Sequence, residues 1–339
     1  MRSLRIVRSV PLLALAFLTS AACPVATQPA PETSFQETVV NLAAGRVLIT
    51  VAKGVILVGT VETPIEADSH PPIPVELGSS QLGVILGAVD WIAPASKQQL
   101  ARLDQELPHL RVREAGEGPH LGSTAGQEAR DLEAIGDGVF KRLSELVQNL
   151  HGKIDLPSGE PIAELILADY AGEYGPEVWR IAYGFEQAED ATDYWTTRVL
   201  RPSYVQFWPP EKGQPHTLLE FTYPTRVEGF GGSATTSLVE LWRQKDPHLQ
   251  QIAASDARLG DAARGILEGE SNKVPGTDAT QFFRAALDAI APRGAREIIA
   301  KIGQESGFAW ILAPPAETVK PGLQSQRPSG APSLVRPPQ

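Results

Sequence analysis

Apolar positions along the chain switch repeatedly between the period of a strand and that of a helix. Val47-Leu48-Ile49-Thr50-Val51 and Val55-Ile56-Leu57-Val58 are β-branched runs flanking Lys53-Gly54. This pattern predicts a β-hairpin over Gly45–Val61, with glycine supplying the positive φ of a two-residue turn. Both runs are apolar on both faces, so the hairpin is expected to be buried or covered. Val75-Glu76-Leu77 and Leu82–Val89 read as further strands, separated by Gly78-Ser79-Ser80. A helix is expected from Ser96 to just before Pro108, with Leu100, Leu103 and Leu107 on one face.

Residues 127–150 carry the clearest helical signal. Leu132, Ile135, Val139, Leu143, Leu146 and Leu150 recur at spacings of three and four and form one apolar stripe. Gly136 and Gly138 interrupt it, each costing about 1 kcal/mol relative to Ala, so packing must hold that turn. A second β-region follows at 162–223, with candidate strands Glu164–Tyr170, Glu177–Gln187, Tyr194–Trp208 and Thr217–Tyr223. Strands in direct succession imply antiparallel pairing, and Pro202 marks a break or an edge in the third. Residues 237–302 read as mostly helical. Ser237 to Glu240 fits a capping box, Asp246-Pro247 a capped helix start, and Arg293–Ile302 a last helix. Phe308–Leu312 reads as a short final strand. The sum is an α+β fold: antiparallel regions at about 45–91 and 162–223, and helical segments at about 96–107, 127–150 and 237–302.

The ends of the chain read differently. Arg2, Arg5 and Arg8 precede an apolar run from Val10 to Leu18, and Ser20-Ala21-Ala22-Cys23 follows. Basic, apolar and small-residue segments in that order predict an export signal over 1–22. The apolar run is too short to cross a bilayer core of roughly 30 Å as a helix. Ser20-Ala21-Ala22-Cys23 resembles the lipobox of bacterial lipoproteins, which are cleaved just before a cysteine that then carries lipid. It departs from that pattern in having Ser20 where Leu is usual. Ordinary cleavage after Ala22 is the other reading, because Ser20 and Ala22 are both small. Residues 23–35 read as a Pro-rich tether and 314–339, with seven Pro, as a disordered tail. Between them lie a β-rich region at 36–125 and an α+β region at 126–313.

Composition narrows the partners. The formal net charge is −10, and removal of an Arg-containing leader makes the remainder more acidic. Such a chain is repelled by phosphate backbones, so no nucleic-acid partner is expected. Cys23 is the only cysteine, which excludes an intrachain disulfide and thiolate-built zinc or iron–sulfur sites. No metal and no cofactor are expected. The six His are scattered, and none lies four residues from another as a zinc helix requires. Gly78-Ser79-Ser80-Gln81-Leu82 has Leu82 where a nucleophile elbow needs Gly, so a Ser80 nucleophile served by His70 and Asp90 is disfavoured. Gly116–Gly122 misses the dinucleotide fingerprint and reads as a loop. Gly229–Ser233 is a possible anion-binding turn or a connector. Glu186, Glu189, Asp190 and Asp193 lack calcium-loop spacing and read as a solvated turn.

The remaining hint is aromatic. All six Tyr lie between 170 and 223. Strand alternation places Trp179, Ile181, Tyr183 and Phe185 on one face and Arg180, Ala182 and Gly184 on the other. Tyr170, Tyr174, Trp179 and Tyr183 are the candidate binding residues, because Tyr and Trp pair an apolar body with a polar tip. Core and cross-strand packing is the competing explanation. The resulting expectation is an exported bacterial cell-envelope lipoprotein that binds a ligand or partner without catalysis. It would be periplasmic or membrane-anchored through Cys23, with a protein or saccharide as a possible partner. The alternatives are an exported hydrolase using carboxylates from Asp169, Glu173 and Glu177, and a structural or assembly factor acting through its helical C-terminal part.

Overall fold

A computed structural model describes residues 38–62, 69–78, 80–93, 98–110, 125–148, 150, 154, 156, 159–170, 175–189, 195–225, 236–292 and 294–314. The expected export signal, the tether with Cys23, and the tail beyond 314 lie outside these residues. The elements are β1 (Val39–Ala43), β2 (Gly45–Ala52), β3 (Val55–Glu62), β4 (Pro74–Gly78), β5 (Gln81–Ala93), β6 (Gln98–Arg102), α1 (Leu103–Glu106) and α2 (Ala125–Gln148). They continue with β7 (Ala163–Tyr170), β8 (Pro176–Tyr183), β9 (Phe185–Glu189), β10 (Trp195–Val199), β11 (Ser203–Trp208) and β12 (Leu219–Tyr223). Last come α3 (Leu238–Arg243), α4 (Pro247–Ser255), α5 (Ala257–Glu268), α6 (Gly276–Ile290), β13 (Glu297–Gly303) and β14 (Gly307–Leu312).

The class is α+β, as the sequence implies, and the elements form four layers. One antiparallel sheet has the order β1-β5-β7-β8-β11, with β4 and β6 also paired to β5. The other has the order β12-β2-β3-β13-β14. Strands from 36–125 and from 126–313 share both sheets. Val47, Ile49, Ile56 and Val58 of the hairpin face Leu82, Val84, Ile166 and Val178 of the other sheet. On the reverse face, Leu48, Leu57 and Val61 meet Phe282, Phe283 and Leu287 of α6 and Ile266 of α5. The hairpin is apolar on both faces because it lies in the middle of a sheet covered on both sides. Its turn residue Gly54 has φ +74.

The apolar stripe of α2 covers the outer face of the first sheet. Ile135, Val139, Leu143, Leu146 and Leu150 are buried against Ile85, Leu165, Leu167 and Ile181. The two glycines of the stripe mark close approaches: a Cβ at Gly138 would overlap the carbonyl oxygen of Leu110, and one at Gly136 would overlap the Tyr204 ring. Helix starts follow the expected caps. Ser237 Oγ accepts from the Glu240 amide at 3.1 Å, and Asp246 Oδ1 accepts from the His248 and Leu249 amides at 3.0 and 3.1 Å.

Two expected helices are wholly or partly strand. Residues 98–102 form β6 rather than the first turns of a helix. On one edge of β5, β7 pairs with residues 81–87 and β6 takes over at 90–93. A helix there would leave backbone groups of that edge without partners. Leu103 and Leu107 are buried as the pattern implies, while Leu100 is exposed. The second correction concerns 293–302: Glu297–Gly303 is β13, hydrogen-bonded to β3 on one edge and β14 on the other. Its Ile298-Ile299-Ala300 run is buried on both faces, and such a run carries no distinguishing period. β12, read as part of the second β-region, crosses to the other sheet and pairs with β2. Pro202 lies in the gap between β10 and β11, and β11 is an edge strand.

Candidate ligand-binding groove

Strands β8 to β11 form one long hairpin with a bend. The bend falls at Gly184 and Leu200, where the Leu200 amide donates to the Gly184 carbonyl at 2.8 Å. Beyond it, among the described residues, β9 and β10 pair only with each other and pack over α2, and Val199 and Phe185 join the core there. On the α2 side of β8, Trp179, Ile181 and Tyr183 point into that core. Arg180, Ala182 and Gly184 line the opposite face, as alternation requires.

That opposite face carries a groove of about 620 Å³, with walls that include Leu156, Glu160, Arg180, Phe185, Leu200 and Arg201. Its polar groups are held in place from behind. The Arg180 guanidinium is ion-paired with Glu164, which is 2% exposed. Burial raises the Glu164 carboxyl above the ordinary range against the opposing Arg180 bond, and the Glu160 charge adds to the rise. Glu160 accepts the Thr225 amide at 2.8 Å and also its hydroxyl. Beneath it, the Tyr223 hydroxyl donates to the Pro161 carbonyl at 3.0 Å. Arg201 lies 4.9 Å over the Phe140 ring and 3.5 Å from Asp137. Apolar wall residues and a few positioned charges thus share one open groove.

The aromatic residues singled out from sequence do not gather on one surface. Tyr183 is fully buried, its hydroxyl donating to the Gly136 carbonyl at 3.2 Å, so it is a core residue rather than part of an exposed face. Trp179 is half-buried against the same core, and its indole N–H donates to Glu177 at 2.8 Å. Tyr170 lies on the reverse face with the inter-sheet core; burial pushes its hydroxyl up to about 12. Tyr174 lies outside the described residues, as does Glu173. Asp169 and Glu177 are direct register partners of β7 and β8, which brings these two acids onto one face. Ser80 and Gln81 also donate to Asp169, at 3.3 and 3.2 Å.

The disfavoured serine triad is not assembled. Ser80 precedes β5 and Asp90 lies near its far end, roughly 30 Å away at about 3.3 Å per residue. His70 does meet Asp90, Nε2 to Oδ2, at 3.2 Å. Asp90 also accepts from Gln99 at 2.7 Å and from Asn41 at 3.3 Å. Burial acts to raise the Asp90 carboxyl, but bonds from His70 and Gln99 and the Arg102 charge outweigh it and leave it below the ordinary range. The cluster fastens the chain at His70 to the sheet: the His70 amide donates to Leu42 at 2.8 Å, and Ala44 donates back at 3.1 Å. Gly116–Gly122, Gly229–Ser233, Asp190 and Asp193 lie outside the described residues. Among the described residues, no group of three or more His, Cys, Asp or Glu is placed to hold a metal ion, and no helix is long and apolar enough to cross a membrane.

Sequence reasoning passed over Glu160, Arg180 and Arg201 as site residues. The available signal was the strand parity that groups Arg180 with Ala182 and Gly184. Nothing in the sequence links that face to Glu160 or Leu156. No protein-family model matches the chain, and no curated protein matches it.

Proposed function

We propose that the chain is an exported bacterial cell-envelope lipoprotein, anchored through Cys23, that binds a small ligand in the groove at the bend of the long hairpin. The groove carries this reading: about 620 Å³ of space with Leu156, Phe185 and Leu200 as apolar wall, Glu160 held by Thr225 and Arg180 held by the buried Glu164. Groups fixed before binding lower the entropy lost on association. The export and lipid part rests on the order of segments over 1–23, and two acyl chains hold a protein stably where one does not. Cys23→Ala should move the protein from the membrane to the soluble fraction, and an intact mass with unmodified Cys23 at the mature N-terminus refutes the anchor. For the groove, saturation-transfer NMR with a fragment set should find binders of the soluble domain that are lost on Ala182→Phe, a change that fills the groove wall. Fragments that bind both proteins equally refute the groove as the site.

The second reading, an exported hydrolase, is favoured by one observation: Asp169 and Glu177 stand opposite each other on neighbouring strands. Paired carboxylates are the acid–base machinery of glycoside hydrolysis. Turnover of a chromogenic glycoside that disappears in Glu177→Gln supports it; no turnover, or turnover unchanged in that variant, rejects it.

A further inference from the structure

We infer that the groove takes the carboxylate end of an amphiphilic organic acid, with Arg201 and Arg180 as its recognition groups; this rests on the groove being the binding site. Among the described residues, the charged side chains lining it are Arg180, Arg201 and Glu160, with Glu164 behind Arg180 and Asp137 beside Arg201. Glu160 is already engaged by the amide and hydroxyl of Thr225. Arg201 carries the stronger argument. Its guanidinium carbon lies 4.9 Å from the centre of the Phe140 ring, a cation–π contact. The side chain is 79% exposed, and its ion pair with Asp137 is long, at 3.5 Å. A guanidinium is a planar fork of donors, the geometry that a carboxylate accepts in two bonds. Arg180 is fixed by Glu164 and keeps 32% of its side chain exposed in the same wall. Leu156, Phe185 and Leu200 supply an apolar surface beside these donors, which suits a ligand with a hydrocarbon or aryl body and one acidic end.

The test compares three probes that share one body and differ at the end group: 4-phenylbutyrate, 4-phenylbutanol and 4-phenylbutylamine, titrated calorimetrically into the protein. The acid should bind at least about tenfold more tightly than the alcohol or the amine, and its affinity alone should fall as salt is raised. Arg201→Gln should remove that preference, weakening the acid at least about tenfold more than the alcohol. Arg180→Lys keeps a cation for Glu164 and should reduce the preference only in part, which guards against a variant that simply fails to fold. Equal affinity for acid and alcohol, or tighter binding of the amine, overturns the carboxylate assignment and leaves the groove as a site. If none of the three binds, the assignment fails, and the fragment comparison with Ala182→Phe decides separately whether the groove binds at all.

Discussion

Gly138→Ala sets two effects of opposite sign against each other. On helix propensity alone, Ala in place of Gly inside a helix stabilises by about 1 kcal/mol. The structure predicts destabilisation. The added Cβ would sit inside contact distance of the Leu110 carbonyl oxygen, a backbone atom that no rotamer change can move. Either α2 lifts from the sheet or Leu110 shifts, and Leu110 packs on the core that α2 covers. Overpacking of this kind costs about 1–3 kcal/mol, so the net change should be a loss of up to about 2 kcal/mol. Gly136→Ala provides the internal comparison. There the obstacle is the end of the Tyr204 side chain on edge strand β11, which can swing aside. Its loss should be smaller, and in a Tyr204→Ala background Gly136→Ala should become stabilising by about 1 kcal/mol. Urea denaturation followed by tryptophan fluorescence gives the midpoints. A raised midpoint for Gly138→Ala in the otherwise natural chain refutes the close approach of α2 to Leu110.

Three further outcomes test the core and its buried charge. Leu143→Ala on α2 should destabilise by about 2–5 kcal/mol, and a change under about 0.5 kcal/mol in the same assay means that the helix does not cover the sheet. Tyr183→Ala should cost about 3–5 kcal/mol, and half-buried Trp179→Ala less, by thermal unfolding; an unchanged melting temperature for Tyr183→Ala contradicts its burial. Because the Asp90 carboxyl lies below its ordinary value, its contribution to stability is present above about pH 4 and is lost as pH falls through the lowered folded value. The stability difference between the natural chain and Asp90→Asn should therefore narrow in acid, and a difference independent of pH from 2 to 7 rejects the assignment.

A binding role and a packing role made the same demand on the aromatic strand, which is why the sequence could not separate them. Trp179, Ile181 and Tyr183 share a face, as their parity requires, but parity does not say what lies above that face. The answer is α2, whose Gly136 accepts the Tyr183 hydroxyl bond. The same parity placed Arg180, Ala182 and Gly184 together, and that side, unremarkable in composition, lines the groove. The acids of the groove come from Glu160 and, behind Arg180, Glu164. Glu160 joins Arg180 only through the path of the chain between α2 and β7.

The local pattern determined what local physics controls. It determined the hairpin over 45–61, the stripe of α2, the caps at Ser237 and Asp246 and the antiparallel order of β7 to β11. Each of these rests on contacts within a few residues or on a single turn. Tertiary structure decided the rest. Residues 98–102 and 297–303 became strands because open sheet edges needed partners, and hydrogen bonds to β5, β3 and β14 outweigh a weak helical preference. The same level decided that two β-regions would exchange strands and stack as two sheets between helices. It also decided that His70 would reach Asp90 while Ser80 would not. Burial and charge at Glu164, Arg180 and Arg201 depend on which surfaces meet, and neighbours distant in sequence fix that.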